Sequence, residues 1–257
     1  FEFRDGVKLA GVNSINWARV LAQVVYYFTS AVSLGAPHRK VSFTVPTGNF
    51  GDVFAGYVAK RMGLPIDRLV IATNQNDILH RTLQSGEHTK TGVKPSISPS
   101  MDIQVSSNFE RLIFDLYDRE GPAVAQLMDE LKTNGTFTLS QGALDRLRAE
   151  FDSGRCSEEE TSAAIAGFHK TTGEVLCPHT AVGAKVAMEQ NRNISVPVIT
   201  LATAHPAKFP AAVEEACGIH PALPPRMADL FEREERITRV AGDLKAVEAI
   251  IRERIGQ

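Results

Sequence analysis

Pro46-Thr47-Gly48-Asn49-Phe50-Gly51-Asp52 joins the apolar run Val41-Ser42-Phe43-Thr44-Val45 to a helix-forming run from Val53 to Met62. The reading of this joint decides the fold. A glycine-bearing loop that leaves a strand and enters a helix offers free backbone N–H groups together with the positive end of the helix dipole. That combination is a phosphate cradle. Two glycines three apart also occur in ordinary tight turns, so the surrounding text has to carry the reading. Ala55-Gly56-Tyr57 continues the helix, Met62-Gly63-Leu64-Pro65-Ile66 closes it, and the strand Leu69 to Thr73 runs out into the polar loop Asn74-Gln75-Asn76-Asp77. In the cradle reading the amides of Asn49, Phe50 and Gly51 hold the anion. Gly51 is expected to need positive φ and to leave no room for a side chain. Asp52 is expected to turn away from the anion and cap the helix.

Working outward, Trp17, Val20, Leu21, Val24, Val25, Phe28 and Val32 recur at the spacing of a helical face, with Asn13 or Ser14 expected as N-cap and Gly35 and Pro37 as the stop. Strand 41–45, helix 53–62, strand 69–73 and a short helix near 76–84 give a βαβ rhythm. The predicted class is therefore α/β, a parallel sheet with helices on both faces. Residues 85–100, rich in Gly, Thr, Ser, Lys and Pro without periodicity, read as a mobile loop close to a site. Residues 106–170 read as wholly helical, and parallel-sheet character returns with helix 180–190 and strand 196–201. The implied division is 1–88 as the phosphate-binding α/β part, 89–178 as loop and helical subdomain, and 179–257 as a return to α/β ending in charged helix.

The chain has 257 residues, 43% hydrophobic and 23% charged, with a net charge of −2. That is ordinary for a globular protein and gives no field for nucleic acid or an anionic membrane, so any anion site must be local. Three widely spaced cysteines, Cys156, Cys177 and Cys217, argue against a disulfide framework and for a reducing compartment, the cytoplasm. No apolar run approaches the roughly 18 to 20 residues needed to span a bilayer. There is no His-Glu-x-x-His, no Cys-x-x-Cys, no P-loop and no Gly-x-Ser-x-Gly elbow, so metal, nucleotide-hydrolysis and serine-hydrolase readings find no support.

Six runs spread along the chain, Val12 to Arg19, Thr47 to Asp52, Ser98 to Ile103, Ser106 to Arg111, Pro178 to Gly183 and Leu201 to Phe209, stand in one order that resembles the threonine synthases. These are pyridoxal-phosphate enzymes of the tryptophan-synthase-β structural class, fold type II. The resemblance implies conversion of O-phosphohomoserine and water to L-threonine and phosphate. It implies that Gly48, Asn49, Phe50, Gly51 and Asp52 bind the cofactor phosphate and that the Thr203 hydroxyl bonds the pyridine nitrogen. It further implies that Ser14 and Arg19, with Asn16 beside them, bind the substrate phosphate. Arginine suits that task because its planar fork gives bidentate, charge-assisted bonds. Read without the resemblance, Ser14 and Arg19 are a helix cap and a solvated arginine. His205 and Lys208 are equally readable as loop polarity, and His179 as a cap for the helix near Ala181.

The family's Schiff-base lysine sits in a Phe-Lys-Asp type of segment upstream of the Asn-Ser-Ile-Asn run, and no such segment occurs here, so no catalytic residue is assigned. The chain, which opens Phe1-Glu2-Phe3-Arg4, is expected to be the C-terminal portion of a longer enzyme that needs its N-terminal segment for turnover. Two other readings stay open. One is a threonine-synthase-like phospho-lyase that releases a 2-oxo acid, and the other is a non-catalytic phosphate-binding half.

Overall fold

The computed structural model describes residues 2–190 and 193–256 and divides into two units, Asn13–Pro221 and the pairing of Phe1–Val12 with Ala222–Gln257. In chain order the elements are α1 (Glu2–Gly6), α2 (Trp17–Ser33), β1 (Val41–Pro46), α3 (Gly51–Arg61), β2 (Ile66–Thr73), α4 (Ile78–Ser85), β3 (Glu87–Thr89), α5 (Phe109–Leu116), α6 (Gly121–Asn134), β4 (Thr136–Thr138), α7 (Gln141–Glu150), β5 (Phe151–Arg155), α8 (Glu158–Thr172), α9 (Pro178–Gln190), β6 (Val198–Thr200), α10 (Pro210–Cys217) and α11 (Leu244–Ile255).

The larger unit is built on a four-stranded sheet in the order β5-β2-β1-β6, every pair parallel. Every residue of β1 is buried, as a strand covered on both faces requires. Phe43 and Val45 point to one side, where Phe43 packs 4.7 Å from the Tyr27 ring of α2. Pro46 belongs to the opposite side, where Gly183 of α9 comes so close that an added Cβ would lie 2.9 Å from the Pro46 ring. Two apolar clusters follow from this alternation. Phe43, Val45, Leu69 and Ile71 join α2 and α3, while Val70 and Ala72 join Val182 and Val186 of α9. The α/β class and the helices on both faces are as expected.

Helix α2 buries Val20, Val24, Tyr27 and Ala31 against α3, so of the face expected from the sequence Val20 and Val24 are buried while Trp17, Leu21, Val25 and Val32 are exposed. Gly56 makes that contact possible, because a Cβ there would lie 2.5 Å from the Tyr27 ring. Asn16, rather than Asn13 or Ser14, caps α2 by accepting the Ala18 N–H at 2.9 Å.

The stretch 106–170 departs from its wholly helical reading. It contains β4, which pairs antiparallel with β3, and β5, which is an edge strand of the main sheet. In Phe151-Asp152-Ser153-Gly154-Arg155 the helix ends without a glycine stop. Pairing along β2, from Leu69↔Phe151 to Thr73↔Arg155, imposes the strand that local pattern does not announce. Segment 85–100, expected as a loop, contains β3 and is hydrogen-bonded to the polar residues around it. Asn74 Nδ2 reaches Ser96 Oγ, Ser98 Oγ and Asp102 Oδ1 at 2.8, 2.9 and 2.8 Å. Asn76 exchanges bonds with both backbone groups of Lys94, and the Ser96 N–H donates to Asp102 Oδ2 at 2.8 Å. The polar residues that read as loop are the ones that fix it.

In the smaller unit the Asp243 side chain caps α11 by accepting the Ala246 N–H, and the Arg252 guanidinium lies 5.0 Å from the centre of the Phe3 ring. The three cysteines are free thiols. Among the described residues no helix is long and apolar enough to cross a membrane, and no cluster of ligating side chains could hold a metal ion.

Candidate functional site

Strand β1 leads through α3 to its neighbour β2 on one side, whereas its neighbour on the other side, β6, arrives from α9. The connections thus diverge between β1 and β6. In an open parallel sheet the crevice beyond the carboxyl ends of such a strand pair is where ligands bind. Two segments leave the sheet at this point: Thr47–Phe50 after β1, and Leu201–His205 after β6. Thr44 pairs with Thr200, and the Leu201 N–H still donates to the Thr44 carbonyl at 3.1 Å. Thr203 lies two residues beyond this last bond and is exposed. Its hydroxyl has no protein partner among the described residues.

The loop's carbonyls are turned into the protein. Ser106 Oγ donates to the Gly48 carbonyl at 2.8 Å, and the Asn108 N–H and side-chain Nδ2 both donate to the Asn49 carbonyl at 3.1 Å. In a planar trans peptide the N–H of the next residue points the opposite way. The amides of Asn49 and Phe50 consequently face outward, and together with the Gly51 amide at the start of α3 they donate to no protein group among the described residues. Unpartnered N–H groups at a helix N-terminus are the donors that an anion there would need. Gly48 is required for a different reason from its neighbour: a Cβ on it would lie 2.5 Å from the Ser100 carbonyl oxygen.

The positive φ expected at Gly51 belongs instead to Phe50, at 64°. A non-glycine residue in the left-handed region costs about 1 to 3 kcal/mol, and the ring offsets it. Phe50 is 1% exposed and packs against Phe109 at 5.1 Å and Phe151 at 5.9 Å. A core aromatic thus pins the loop from beneath.

Asp52 turns away from the loop as expected but makes no helix cap. It meets Tyr27, whose hydroxyl lies 2.7 Å from the Asp52 carbonyl and 3.2 Å from its carboxylate, and burial pushes the carboxyl up to about 6.

Of the other expected site residues, Ser14 comes to the cradle: its carbonyl oxygen lies 3.6 Å from the position of a Cβ on Gly51. Its hydroxyl is unpartnered among the described residues. Asn16 spends its side-chain oxygen on the α2 cap. Arg19, on the first turn of α2, is exposed, with its guanidinium unpaired among the described residues. His179 does not cap a helix beginning at Ala181, because α9 already starts at Pro178. Its Nε2 accepts the Ser100 N–H at 3.2 Å, its ring lies 4.8 Å from Phe209, and burial lowers its pKa to about 4. It is therefore a neutral link from the segment above Gly48 to the segment beyond Thr203.

Residues that local reading missed form the floor. Ser106, Asn108 and Arg111 sit at the start of α5, where Ser and Asn read as helix caps, yet Asn108 makes no cap bond and sends its amide to Asn49 and Ser14. The partners are 59 and 94 residues away in sequence. Nothing in the local pattern announces them.

Residues 180–251 match the family described as threonine synthase, C-terminal. The chain is 54% identical over 97% of its length to a threonine synthase of Pseudomonas aeruginosa, of which it spans 53%. It superposes with a TM-score of 0.94 on a crystal structure of PLP-bound threonine synthase from Brucella melitensis, at 56% identity, covering 98% of this chain and 54% of that one. A human protein named threonine synthase-like 1 is 35% identical over 89% of the chain, which covers 34% of it. The chain thus spans about half the length of the curated threonine synthases it matches.

Proposed function

The chain belongs to the threonine synthase family, matching about half the length of its relatives, and on that premise we propose that it forms the phosphate-binding part of a pyridoxal-phosphate enzyme converting O-phosphohomoserine and water to L-threonine and phosphate. The observation that carries this reading is the set of unpartnered amides from Asn49 to Gly51, at the point where the sheet connections diverge, with the Ser14 carbonyl beside Gly51.

The residues present fit the cofactor's phosphate: three outward N–H groups, a helix N-terminus and a Gly48 that admits no side chain. Gly48 to Gly51 would hold that phosphate, with Asp52 turned toward Tyr27 so that its charge does not oppose the anion. The Thr203 hydroxyl would meet the pyridine nitrogen. A hydroxyl, unlike a carboxylate, does not force protonation there, which moderates the ring's electron demand. Pyridoxal phosphate, when bound, supplies the electron sink for chemistry at the substrate's α and β carbons. Ser14 and Arg19 would grip the substrate's phosphate and keep hold of it as it departs. Arginine does this at constant charge over the whole working pH range.

The Schiff-base lysine of the family has no matching segment here, so turnover is assigned to the chain together with the lysine-bearing portion of the enzyme. Three free thiols support a reducing compartment, the cytoplasm. The more identical relatives are named threonine synthases, which favours threonine over a 2-oxo acid as product. The test is product analysis with O-phosphohomoserine, on the chain alone and on the chain joined to the lysine-bearing portion. Threonine and phosphate in equal amounts from the joined form only are expected. A 2-oxo acid instead, or threonine from the isolated chain, overturns the assignment.

A further inference from the structure

Asn108 is fully buried, and each of its side-chain atoms is committed. Nδ2 donates to the Ser14 carbonyl at 2.8 Å and to the Asn49 carbonyl at 3.1 Å, while Oδ1 accepts from Arg111 Nε at 3.0 Å. That last bond fixes which way the amide faces, because a flipped amide would put its nitrogen against the guanidinium. Arg111 continues the chain of contacts: Nη2 donates to the Ile15 carbonyl at 2.8 Å, and the guanidinium lies 5.4 Å from the centre of the Trp17 ring. One buried amide therefore spans the two segments read as anion-binding, and one arginine braces it.

We propose that Asn108, braced by Arg111, is a positioning residue that sets the Ser14–Arg19 segment against the Asn49–Gly51 cradle so that two phosphates are held side by side. This rests on the two-phosphate reading above. The clamp is lopsided. The cradle keeps two bonds that do not involve the Asn108 side chain, from Ser106 Oγ to Gly48 and from the Asn108 N–H to Asn49. The carbonyls of Ser14 and Ile15 depend on the Asn108 and Arg111 side chains. Loss of the Asn108 amide thus frees the first segment and spares the second. General loosening of the fold would disturb both.

The experiment is an amide-resolved NMR titration of the chain with inorganic phosphate, with hydrogen exchange of the Ile15 and Ala18 amides, on wild type, Asn108→Ala and Arg111→Met. In both variants the response of Asn49 to Gly51 should stay within about two-fold. The affinity read at Ser14 to Arg19 should fall at least about ten-fold, and exchange at Ile15 and Ala18 should quicken by a similar factor while β1 and β2 amides hold. Responses falling together, or neither falling, overturn the clamp. If phosphate moves neither segment in wild type, the two-phosphate reading fails, and unchanged exchange at Ile15 and Ala18 in the variants then sinks the clamp as well. Arg111→Met, at a half-buried position, serves should Asn108→Ala fold poorly.

Discussion

The Tyr27 hydroxyl sits 2.7 Å from the main-chain carbonyl of Asp52 and 3.2 Å from its carboxylate, so the second residue of the cradle helix is tied to the middle of α2. Burial raises the Asp52 pKa from 3.8 to about 6, and the Tyr27 hydroxyl bond offsets part of that rise.

The sign of the resulting pH dependence follows from the native state binding this proton more tightly than the unfolded chain. Below pH 4 both states are protonated and the residue contributes nothing. Between pH 4 and 6 the native state is progressively penalised, and above pH 6 the penalty is constant. Asp52→Asn should therefore stabilise the protein by about 1 to 3 kcal/mol above pH 6 and by nothing near pH 4. Urea unfolding of variant and wild type from pH 4 to 8 measures the difference, and a curve that does not rise between 4 and 6 contradicts the argument.

His88 should produce the opposite slope. Thr82 Oγ1 donates to the Ile78 carbonyl at 2.7 Å, so His88 Nδ1 must be the donor across the 2.8 Å contact to that oxygen. The ring is neutral, stacked between Phe137 at 4.7 Å and Phe109 at 5.4 Å, and burial lowers its pKa to about 4. The unfolded chain takes up the proton first, so stability falls as pH drops from about 6.5 to 4, by about 2 to 3 kcal/mol for this residue. His88→Phe keeps the stack and removes the titration. Its advantage over wild type should grow as the pH falls, and parallel stability curves for the two proteins would refute the assignment.

Gly48→Ala should cost the cradle at least ten-fold in phosphate affinity and the fold about 1 to 3 kcal/mol, because the new methyl meets the Ser100 carbonyl at 2.5 Å and backbone must move. Gly51→Val should be harmful through crowding of Asn108 Nδ2, 3.3 Å from its Cβ, rather than through backbone strain. Calorimetric titration with inorganic phosphate, alongside thermal unfolding, reads both. Wild-type affinity in Gly48→Ala argues that the anion goes elsewhere.

Arg19→Ala, in the enzyme completed with its lysine-bearing portion, should lose ~1.5 to 3 kcal/mol in kcat/KM, a factor of roughly ten to a few hundred. Cofactor affinity should be unchanged, since the cofactor phosphate has its own cradle. Steady-state kinetics with O-phosphohomoserine and a cofactor absorbance titration check the two halves. Normal kinetics, or joint loss of cofactor and substrate, make Arg19 a surface residue.

Periodicity alone determined the parallel α/β frame of this protein. Buried runs such as Val41–Val45 reflect forces between near neighbours, and those leave a local imprint, whereas the face α2 buries was set by its contact with α3, which takes Tyr27 and Ala31 and leaves Leu21, Val25 and Val32 exposed. The joint from Pro46 to Asp52 was legible for the same reason, because strand, glycine loop and helix are contiguous. Tertiary structure decided what fixes that joint. The left-handed turn fell to Phe50 because Phe109 and Phe151 hold its ring, and Asp52 left the helix cap because Tyr27 reaches it from α2. Phe151–Arg155 became a strand because β2 offered an open edge. Asn108, spelled like a helix cap, instead joins carbonyls 94 and 59 residues away. Hydrogen-bond partners so distant in sequence leave no periodic trace, so only the folded chain can reveal them.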